Sequence, residues 1–281
     1  MSDNARPDHA RTLAQLARGR PLVLLADGMS DAGFPRPDET RPELSVVVPV
    51  RDEAGNIAPL VTEIVAALAG EAFEIVCVDD GSRDGTAAEL ATTKQRCAQL
   101  RTVIHVVAGG QSAALWTGVR AARAQAIVTL DGDGQNDPAD IPRLLALARA
   151  ADAPADLRLI VGTRLKRRDS WAKREASRVA NAVRARLLGD ASPDSGCGLK
   201  WFRRADFLAL PRFDHMHRFL PALFQREGGR VLHCPVNHRP RRAGRSKYGI
   251  ADRLWVGIVD LMGVWWLRRR AMRADERNRN G

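Results

Sequence analysis

The 281-residue sequence has no uninterrupted apolar stretch that is long enough to cross a membrane. A membrane-spanning helix needs about 20 consecutive apolar residues, so we expect none. The N-terminus lacks a charged region followed by an apolar run and a small-residue cleavage site, and we therefore do not expect secretion. There are only four cysteines, and no two of them form a Cys-x-x-Cys pair. This scarcity argues against a disulfide scaffold and a zinc knuckle, and it fits a reducing, cytoplasmic compartment.

Charge is unevenly distributed along the chain, whose formal net charge is +11. The part up to residue 157 contains 15 basic and 22 acidic side chains, whereas the remainder contains 29 basic and 11 acidic ones. A strongly cationic second half points to an anionic partner, either nucleic acid, an acidic membrane surface or a phosphorylated substrate, unless it is simply a solvated basic face. No motif of a nucleic-acid-binding family is present, so we expect no nucleic-acid partner.

The chain divides into three regions. Residues 1–41 are rich in Asp, Arg, Pro and Gly, which predicts a loosely ordered extension. Residues 42–250 alternate between buried strands and amphipathic helices, which predicts an α/β domain with a doubly wound, mostly parallel sheet. Residues 251–281 predict an amphipathic helix and a basic tail. The predicted strands cover residues 44–50, 73–78, 102–107, 126–130 and 157–162.

Polar clusters directly follow four of these strands, at residues 51–53, 79–84, 131–135 and 162–164. Ligands of a doubly wound sheet bind at the carboxyl ends of its strands. The recurrence of polar side chains at four such ends therefore predicts a binding site along this edge of the sheet.

The pair Asp131 and Asp133 is the most specific of these clusters. Two carboxylates one residue apart after a buried strand repel each other, and a divalent cation relieves that repulsion. Gln135 adds a neutral oxygen at the same edge. Mg²⁺ commonly binds one or two carboxylates together with substrate phosphates. We therefore expect Mg²⁺ or Mn²⁺ at Asp131, Asp133 and Gln135, with a diphosphate completing its coordination.

Other carboxylates at this edge have two interpretations. Of Asp79 and Asp80, one is suited to accept hydrogen bonds from a nucleobase or ribose while the other fixes the loop. Either can instead form an Asx turn that caps the next helix. Glu53 is likewise suited to a base or ribose, or to the positive end of a helix dipole.

Seven sequence motifs, taken together, carry a family resemblance. They are VPVRDE at 48–53, VDDGS at 78–82, GQSAA at 110–114, DGDGQNDP at 131–138, VGTR at 161–164, DSGCGLK at 194–200 and PRRAGRSKY at 240–248. With these motifs in this order, residues 44–249 resemble an inverting family-two glycosyltransferase of GT-A fold. The resemblance is closer to the branch of dolichyl-phosphate mannose synthases and other polyprenyl-phosphate glycosyltransferases.

The resemblance implies transfer of one sugar from a nucleotide-sugar donor to a polyprenyl phosphate, and a role for each matching position. Nucleotide-binding positions are Pro49, Arg51, Glu53, Val78 and Asp80. Metal- and diphosphate-binding positions are Asp131, Gly132, Asp133 and Gln135. Cationic positions at the phosphates are Arg164, Arg241 and Lys247. The acceptor phosphate is largely ionised at pH 7 and needs no strong general base. Asp194 is suited to orient it, or instead to cap a turn in its own loop.

The sequence departs from the pattern of the family at one position and lacks one motif of its processive members. Position 51 is Arg, where many members of the family have an aromatic residue, so the nucleobase is left open although a guanidinium also stacks on a base. The Gln-x-x-Arg-Trp string of processive members is absent, which argues against polymer synthesis. A transferase for another lipid or glycan acceptor, a basic nucleic-acid-binding protein and a non-catalytic nucleotide-sugar-binding protein are the competing hypotheses.

The C-terminal segment predicts contact with a membrane surface. The apolar stretch 254–267 is too short to span a bilayer, but it contains Trp255, Trp265 and Trp266 and is followed by Arg268–Arg270. Tryptophan and arginine suit a helix that lies in the interface, peripheral to the cytoplasmic face. The alternative is a helix packed on the core, in which case self-association or a separate membrane partner would supply anchorage.

Overall fold

The computed structural model of the chain describes residues 23–25, 41–164, 184, 186–190, 192, 194–240 and 250–270, and for residues 23–25 and 250–256 it describes the backbone alone. The strands are β1 Val23–Leu25, β2 Leu44–Val50, β3 Phe73–Asp79, β4 Leu100–His105, β5 Ala126–Thr129, β6 Leu157–Arg164, β7 Lys200–Arg203 and β8 Arg230–Val236. The helices are α1 Ile57–Ala67, α2 Thr86–Arg96, α3 Gln111–Ala121, α4 Ile141–Arg149, α5 Arg204–Leu208, α6 Leu220–Arg226 and α7 Ile250–Arg269.

The strands form one sheet in the order β1-β4-β3-β2-β5-β7-β6-β8. Strands β2 to β5 are parallel where they pair, β6 and β8 are parallel to each other, and β7 runs antiparallel to both β5 and β6. The predicted doubly wound, mostly parallel sheet is therefore confirmed. The carboxyl ends of β2, β3, β4, β5, β6 and β8 all meet at one edge of the sheet.

Helices cover both faces of the sheet because the central strands are apolar on both sides. Val46 and Val48 belong to one core cluster, together with residues of α1, α2 and α4. Val47 points the other way and belongs to a second cluster, with residues of α3, α5 and α6. Such two-sided burial produces the continuous apolar run of β2, as is typical of strands in parallel sheets.

The two halves of the sheet meet between β2 and β5, and the chain crosses from one half to the other on its way from β4 to β5. Strand β2 pairs with β3 on one side and with β5 on the other. The two halves of a doubly wound sheet diverge at such a point, and the crevice between them is where ligands bind. The loops after β2 and β5, which begin at Arg51 and Leu130, flank this crevice.

Three strands were not predicted, and each is short or lies at an edge. Strand β1 pairs antiparallel with β4, so three residues of the predicted N-terminal extension are part of the sheet. Strand β7 has only four residues. Strand β8 is an edge strand, and its Arg230, His233 and Pro235 interrupt the apolar pattern from which strands are recognised.

The C-terminal helix α7 is present as predicted and packs on the core along one side. Val264 is fully buried in the second core cluster, and Leu261 and Trp265 pack against it. A Cβ atom added to Gly257 or Gly263 would meet open space, so neither glycine is a position of close packing in the helix. Among the described residues, no helix combines the length and apolar character that crossing a membrane requires.

Candidate active site

The turn after β5 holds Asp131 and Asp133 at the crevice between the two halves of the sheet. The Asp131 backbone N–H donates to Asn136 Oδ1 at 3.0 Å, and Asp133 Oδ1 accepts the Gln135 N–H at 3.1 Å. From the start of α3, Gln111 Nε2 donates to Asp131 Oδ1 at 2.9 Å. These hydrogen bonds fix the turn, so both carboxylates are positioned before any ligand binds.

The electrostatics of this turn favour a cation. Burial raises the pKa of Asp131 to about 6, and the negative charge of Asp133 adds to that rise. Lys200 and Arg164 act in the opposite direction without cancelling it. A raised carboxyl pKa means that the ionised pair is held at a cost, which a bound divalent cation removes.

The donor set of the turn fits a metal that also binds its substrate. Among the residues that the structure describes, no group of three or more His, Cys, Asp or Glu side chains is arranged to hold a metal ion. Asp131 and Asp133 therefore supply two carboxylates, and the remaining ligands would have to be other oxygens. This is how Mg²⁺ is usually held, by one or two carboxylates together with phosphate oxygens and water.

The start of β7 places a buried lysine beside the carboxylates. Lys200 lies opposite Thr129 of β5 and Val161 of β6 in the strand register, and it is 5% exposed. Its ammonium donates to the Cys197 carbonyl. Burial lowers the pKa of Lys200, while the charges of Asp131 and Asp194 raise it. Lys200 thus places a compensating positive charge at the base of the carboxylate turn.

Gly198 is required by this arrangement. A Cβ atom at this position would lie 2.2 Å from Asp131 Oδ2, far inside van der Waals contact. Its carbonyl accepts the Thr129 hydroxyl at 2.6 Å, which ties the segment before β7 to β5. The Asp194–Lys200 motif therefore forms one wall of the site, and any side chain at Gly198 would displace Asp131.

Arg164 and Asp194 form a two-pronged ion pair on this wall. Arg164 Nε and one terminal nitrogen each donate to a different Asp194 oxygen at 2.6 Å. This pair raises the pKa of Arg164, which also lies within electrostatic reach of Asp131. Arg164 and Asp194, both predicted site residues, are thus brought to the carboxylate turn, and they contact each other.

The loops after β2 and β3 interlock on the opposite side of the crevice. Asp52, whose φ is +51°, accepts the Arg83 N–H at 2.7 Å and donates its own N–H to Ser82. The Glu53 N–H donates to the Thr86 hydroxyl, and Asn56 Nδ2 donates to the Glu53 carboxylate. The two loops therefore form one rigid wall on the side predicted for the nucleotide.

Asp79 and Asp80 both hold backbone in this wall. Asp79 accepts the N–H of Ser82, three residues further on, and so fixes the turn after β3. Asp80 accepts from the N–H groups of Gly109 and Gly110 and from the His105 ring. Burial alone would raise the pKa of Asp80, but these hydrogen bonds outweigh it and hold the pKa below its usual value. Both carboxylates thus fix loops, and neither forms the Asx turn capping the next helix that was the alternative for them.

The other predicted nucleotide positions differ in exposure. Arg51 is exposed and Pro49 is half-buried, both at the carboxyl end of β2. The Val78 side chain is fully buried in the second core cluster beneath α3. Gly132 packs against Val50 and the Pro49 carbonyl, where a side chain would clash. The structure therefore brings Pro49, Arg51 and Gly132 to the edge, but not the side chain of Val78.

Arg241 and Lys247 lie outside the described residues. The described chain leads up to them at Arg239, whose N–H donates to the Gln135 carbonyl at 2.9 Å. The Arg239 guanidinium donates hydrogen bonds to Glu63 of α1 and to Asp137, which follows the carboxylate turn. The chain segment that carries the two predicted cations therefore departs from directly beside Gln135.

Sequence analysis assigned no role at the site to Gln111, Ser112 or Lys200, and it did not link Ser112 to His217. Ser112 Oγ lies 2.8 Å from His217 Nδ1. Burial lowers the pKa of His217 to about 3, so its ring is neutral. Gln111 and Lys200 occur inside quoted motifs, but pairing of β7 with β5 was needed to place Lys200 at this edge. His217 lies 105 residues from Ser112, so no local pattern could link them.

Comparison with known proteins identifies the family. A family model described as glycosyl transferase family 2 matches residues 45–210, which is more than half of the chain. The chain belongs to glycosyltransferase family 2. The match covers β2 to α5, and so includes both the interlocked loops and the carboxylate turn.

Two curated relatives of this family member act on polyprenyl phosphates, according to their names. Undecaprenyl-phosphate 4-deoxy-4-formamido-L-arabinose transferase of Edwardsiella ictaluri is 37% identical over 213 residues, covering 74% of this chain and 63% of the relative. Dodecaprenyl-phosphate galacturonate synthase of Rhizobium johnstonii is 34% identical over 233 residues, covering 81% and 68%. The chain thus spans about two thirds of the length of these relatives.

Solved structures confirm the GT-A fold. Glucosyl-3-phosphoglycerate synthase of Mycobacterium tuberculosis, crystallised with Mn²⁺, uridine diphosphate and phosphoglyceric acid, matches with a TM-score of 0.61 at 17% identity, covering 83% of this chain and 80% of that one. A complex of the same enzyme with Mg²⁺ and uridine diphosphate matches with a TM-score of 0.60, also at 17% identity, covering 85% and 86%. At this level of identity the likeness concerns the fold.

Proposed function

We propose that the chain transfers a single sugar from a nucleotide-sugar donor to a polyprenyl phosphate, with inversion at the anomeric carbon. The observation that carries the proposal is the cationic wall, formed by Lys200 and the Arg164–Asp194 pair, that faces the carboxylate turn of Asp131 and Asp133. Both substrates carry phosphate groups, and these cations lie where the phosphates of donor and acceptor would meet. The names of the relatives support this choice of acceptor.

The reaction forms one bond and breaks one. An oxygen of the acceptor phosphate attacks the anomeric carbon from the face opposite the leaving group, which inverts its configuration. The bond between that carbon and the donor diphosphate breaks, and the nucleoside diphosphate leaves with the electron pair. Asp194 and Arg164 would orient the acceptor phosphate, while Arg241 and Lys247 would meet the donor diphosphate. Preorganised cations stabilise the charge that develops on the leaving group.

A divalent cation, Mg²⁺ or Mn²⁺, fits Asp131 and Asp133, with Gln135 beside them. When bound there, it would neutralise diphosphate charge. The nucleotide would lie against the wall built from Pro49, Arg51, Glu53 and Asp80.

The enzyme would work at the cytoplasmic face of a membrane, since its acceptor is a lipid. All four cysteines are free thiols, which fits a reducing compartment.

Transfer activity tests this proposal. Purified protein is given uridine and guanosine diphosphate sugars with a short-chain prenyl phosphate and Mg²⁺ or Mn²⁺, and release of nucleoside diphosphate is measured. We expect turnover with one donor class and none with the matching prenyl alcohol. Asp133→Asn should lower turnover at least ~100-fold, whereas Asp152→Asn, an exposed control, should not. Full activity in EDTA, or equal activity on the alcohol, would refute the proposal.

A further inference from the structure

The helix α7 has an apolar side that the rest of the described chain leaves exposed. Ile258, Val259, Met262 and Trp266 are 45%, 55%, 49% and 56% exposed. Spacings of three and four residues place them on one face of a helix, which we call the lipid face. The opposite side carries Asp260 and Val264, which contact His215 and the second core cluster. The lipid face is therefore not part of the packing that holds α7 to the domain.

A cationic cleft adjoins the C-terminal end of this helix. It has a volume of about 710 Å³ and is lined by Arg186, Leu187, Leu188, Gly189, Trp265, Arg268 and Arg269. In the described chain, its charged lining residues are all arginines. The Arg269 guanidinium stacks over the Trp265 ring at 4.2 Å from the ring centre, and the Arg268 guanidinium lies 3.5 Å from Gln225 Oε1. We call this feature the arginine cleft.

We propose that the lipid face and the arginine cleft together bind the surface of a membrane that contains anionic lipids. Aliphatic side chains and tryptophan enter the boundary between headgroups and acyl chains, while arginines at the same level meet lipid phosphates. The lipid face runs from the middle of α7 towards the C-terminal end that the arginine cleft adjoins, so a single orientation of the helix satisfies both. The inference rests on the proposed function in that a lipid acceptor requires a membrane, and it names the surface, outside the transfer site, that meets this membrane.

A second copy of the chain is the main competing occupant, and charge disfavours it. In a two-fold symmetric dimer through this face, each patch meets the same patch of its partner. The patch carries Arg186, Arg268 and Arg269, so such a dimer would bring two cationic patches together, and like charges repel. An anionic bilayer instead supplies charges of the opposite sign. Each basic residue near such a surface raises the affinity about fivefold.

Vesicle flotation tests the proposal. The full chain is mixed with vesicles of phosphatidylcholine alone or with about one third phosphatidylglycerol, an anionic lipid, in the absence of donor. We expect binding to the anionic vesicles and much weaker binding to neutral ones. The double variant Met262→Ser/Trp266→Ser should lower the partition coefficient at least about tenfold. Arg186→Glu and Arg269→Glu should each lower it at least about fivefold on anionic vesicles.

Matched controls lie on other surfaces of the molecule. Val107→Ser with Leu147→Ser removes two exposed apolar side chains elsewhere, and Arg96→Glu reverses an exposed charge on α2. These variants should float as the wild type does, and circular dichroism should show every variant folded. Unchanged flotation of the Met262/Trp266 variant would overturn the proposal, as would a dimer that this variant converts to monomer without any loss of lipid binding. The assay involves no turnover, so failure of the proposed transferase activity would be recognised separately.

Discussion

At the scale of single residues, the site holds Asp131 ionised at a cost to the folded state. Its pKa is raised to about 6 by burial and by Asp133, above the value of about 3.9 expected in an unfolded chain. Between these two values the folded state binds more protons than the unfolded one, so this residue's contribution to stability falls as pH rises through that window. Above pH 6 the full cost remains, until a cation binds.

Replacing Asp131 by Asn should therefore stabilise the metal-free protein while abolishing its response to metal. We expect a gain of about 2 kcal/mol at pH 8 that shrinks towards zero near pH 4. The Asn side chain keeps an oxygen for the Gln111 hydrogen bond. Chemical denaturation at several pH values, with and without Mn²⁺, measures the difference. A variant that is less stable than the wild type at pH 8 without metal would contradict this account.

The sequence predicted the carboxylate turn because Asp131, Asp133 and Gln135 are close in sequence and follow one apolar strand. It could not predict that Lys200 neutralises part of their charge. The position of Lys200 depends on β7 lying between β5 and β6. Nor could it separate the roles of Asp79 and Asp80. Both follow β3 directly, and only the approach of Gly109 and Gly110 shows that Asp80 holds a loop.

At the scale of elements, α7 is attached to the domain by core packing and by polar contacts. Arg226 of α6 donates to the Leu267 carbonyl, and a second contact reaches the loop that carries His215. His215 Nδ1 lies 2.9 Å from Asp260 Oδ2. His215 has a φ of +61°, a left-handed conformation that is unusual for a residue with a side chain. Two residues further on in the same loop is His217, which contacts Ser112 at the start of α3. The contact thus joins the C-terminal helix to the loop next to the site.

Asp260→Ala should loosen α7 without unfolding the domain. We expect amide hydrogen exchange across residues 250–270 to accelerate about fivefold or more, because one charge-assisted hydrogen bond is lost. The melting temperature should change little, since Val264 remains buried. Asp214→Ala is the matched control: that carboxylate lies 3.6 Å from His215 Nε2 and is 66% exposed. Equal exchange in both variants would show that the His215–Asp260 contact does not help to hold the helix.

At the scale of the whole molecule, a buried charge cluster holds the end of the sheet opposite the site. Glu74 of β3 is 1% exposed and accepts hydrogen bonds from Ser45 of β2, Arg101 of β4 and Arg123 after α3. One carboxylate thus connects three neighbouring strands and the chain leading to β5. Because the site is built from loops at the other end of these strands, their relative positions depend on this cluster.

Glu74→Ala should be far more damaging than the same change at Glu71. Removing one partner of a buried charge cluster leaves the others uncompensated and costs about 3–5 kcal/mol. Glu71 pairs with Arg149 at the surface, where such a pair contributes at most about 1 kcal/mol. Urea denaturation of both variants measures the contrast. Similar losses in the two would show that the strands are held by their apolar faces alone.

The reversed direction of β7 has a consequence for how this fold can change during evolution. Strand β6 ends, and β7 begins, at the same edge of the sheet. The chain therefore leaves β6 and enters β7 at the same edge of the sheet as the carboxylate turn. An insertion between the end of β6 and the Asp194–Lys200 motif need not disturb the register of β2 to β5, after which the interlocked loops and the carboxylate turn follow. Under the proposed function, the acceptor side of the site can thus change by insertion into one segment while the parts that would hold the donor are inherited unchanged.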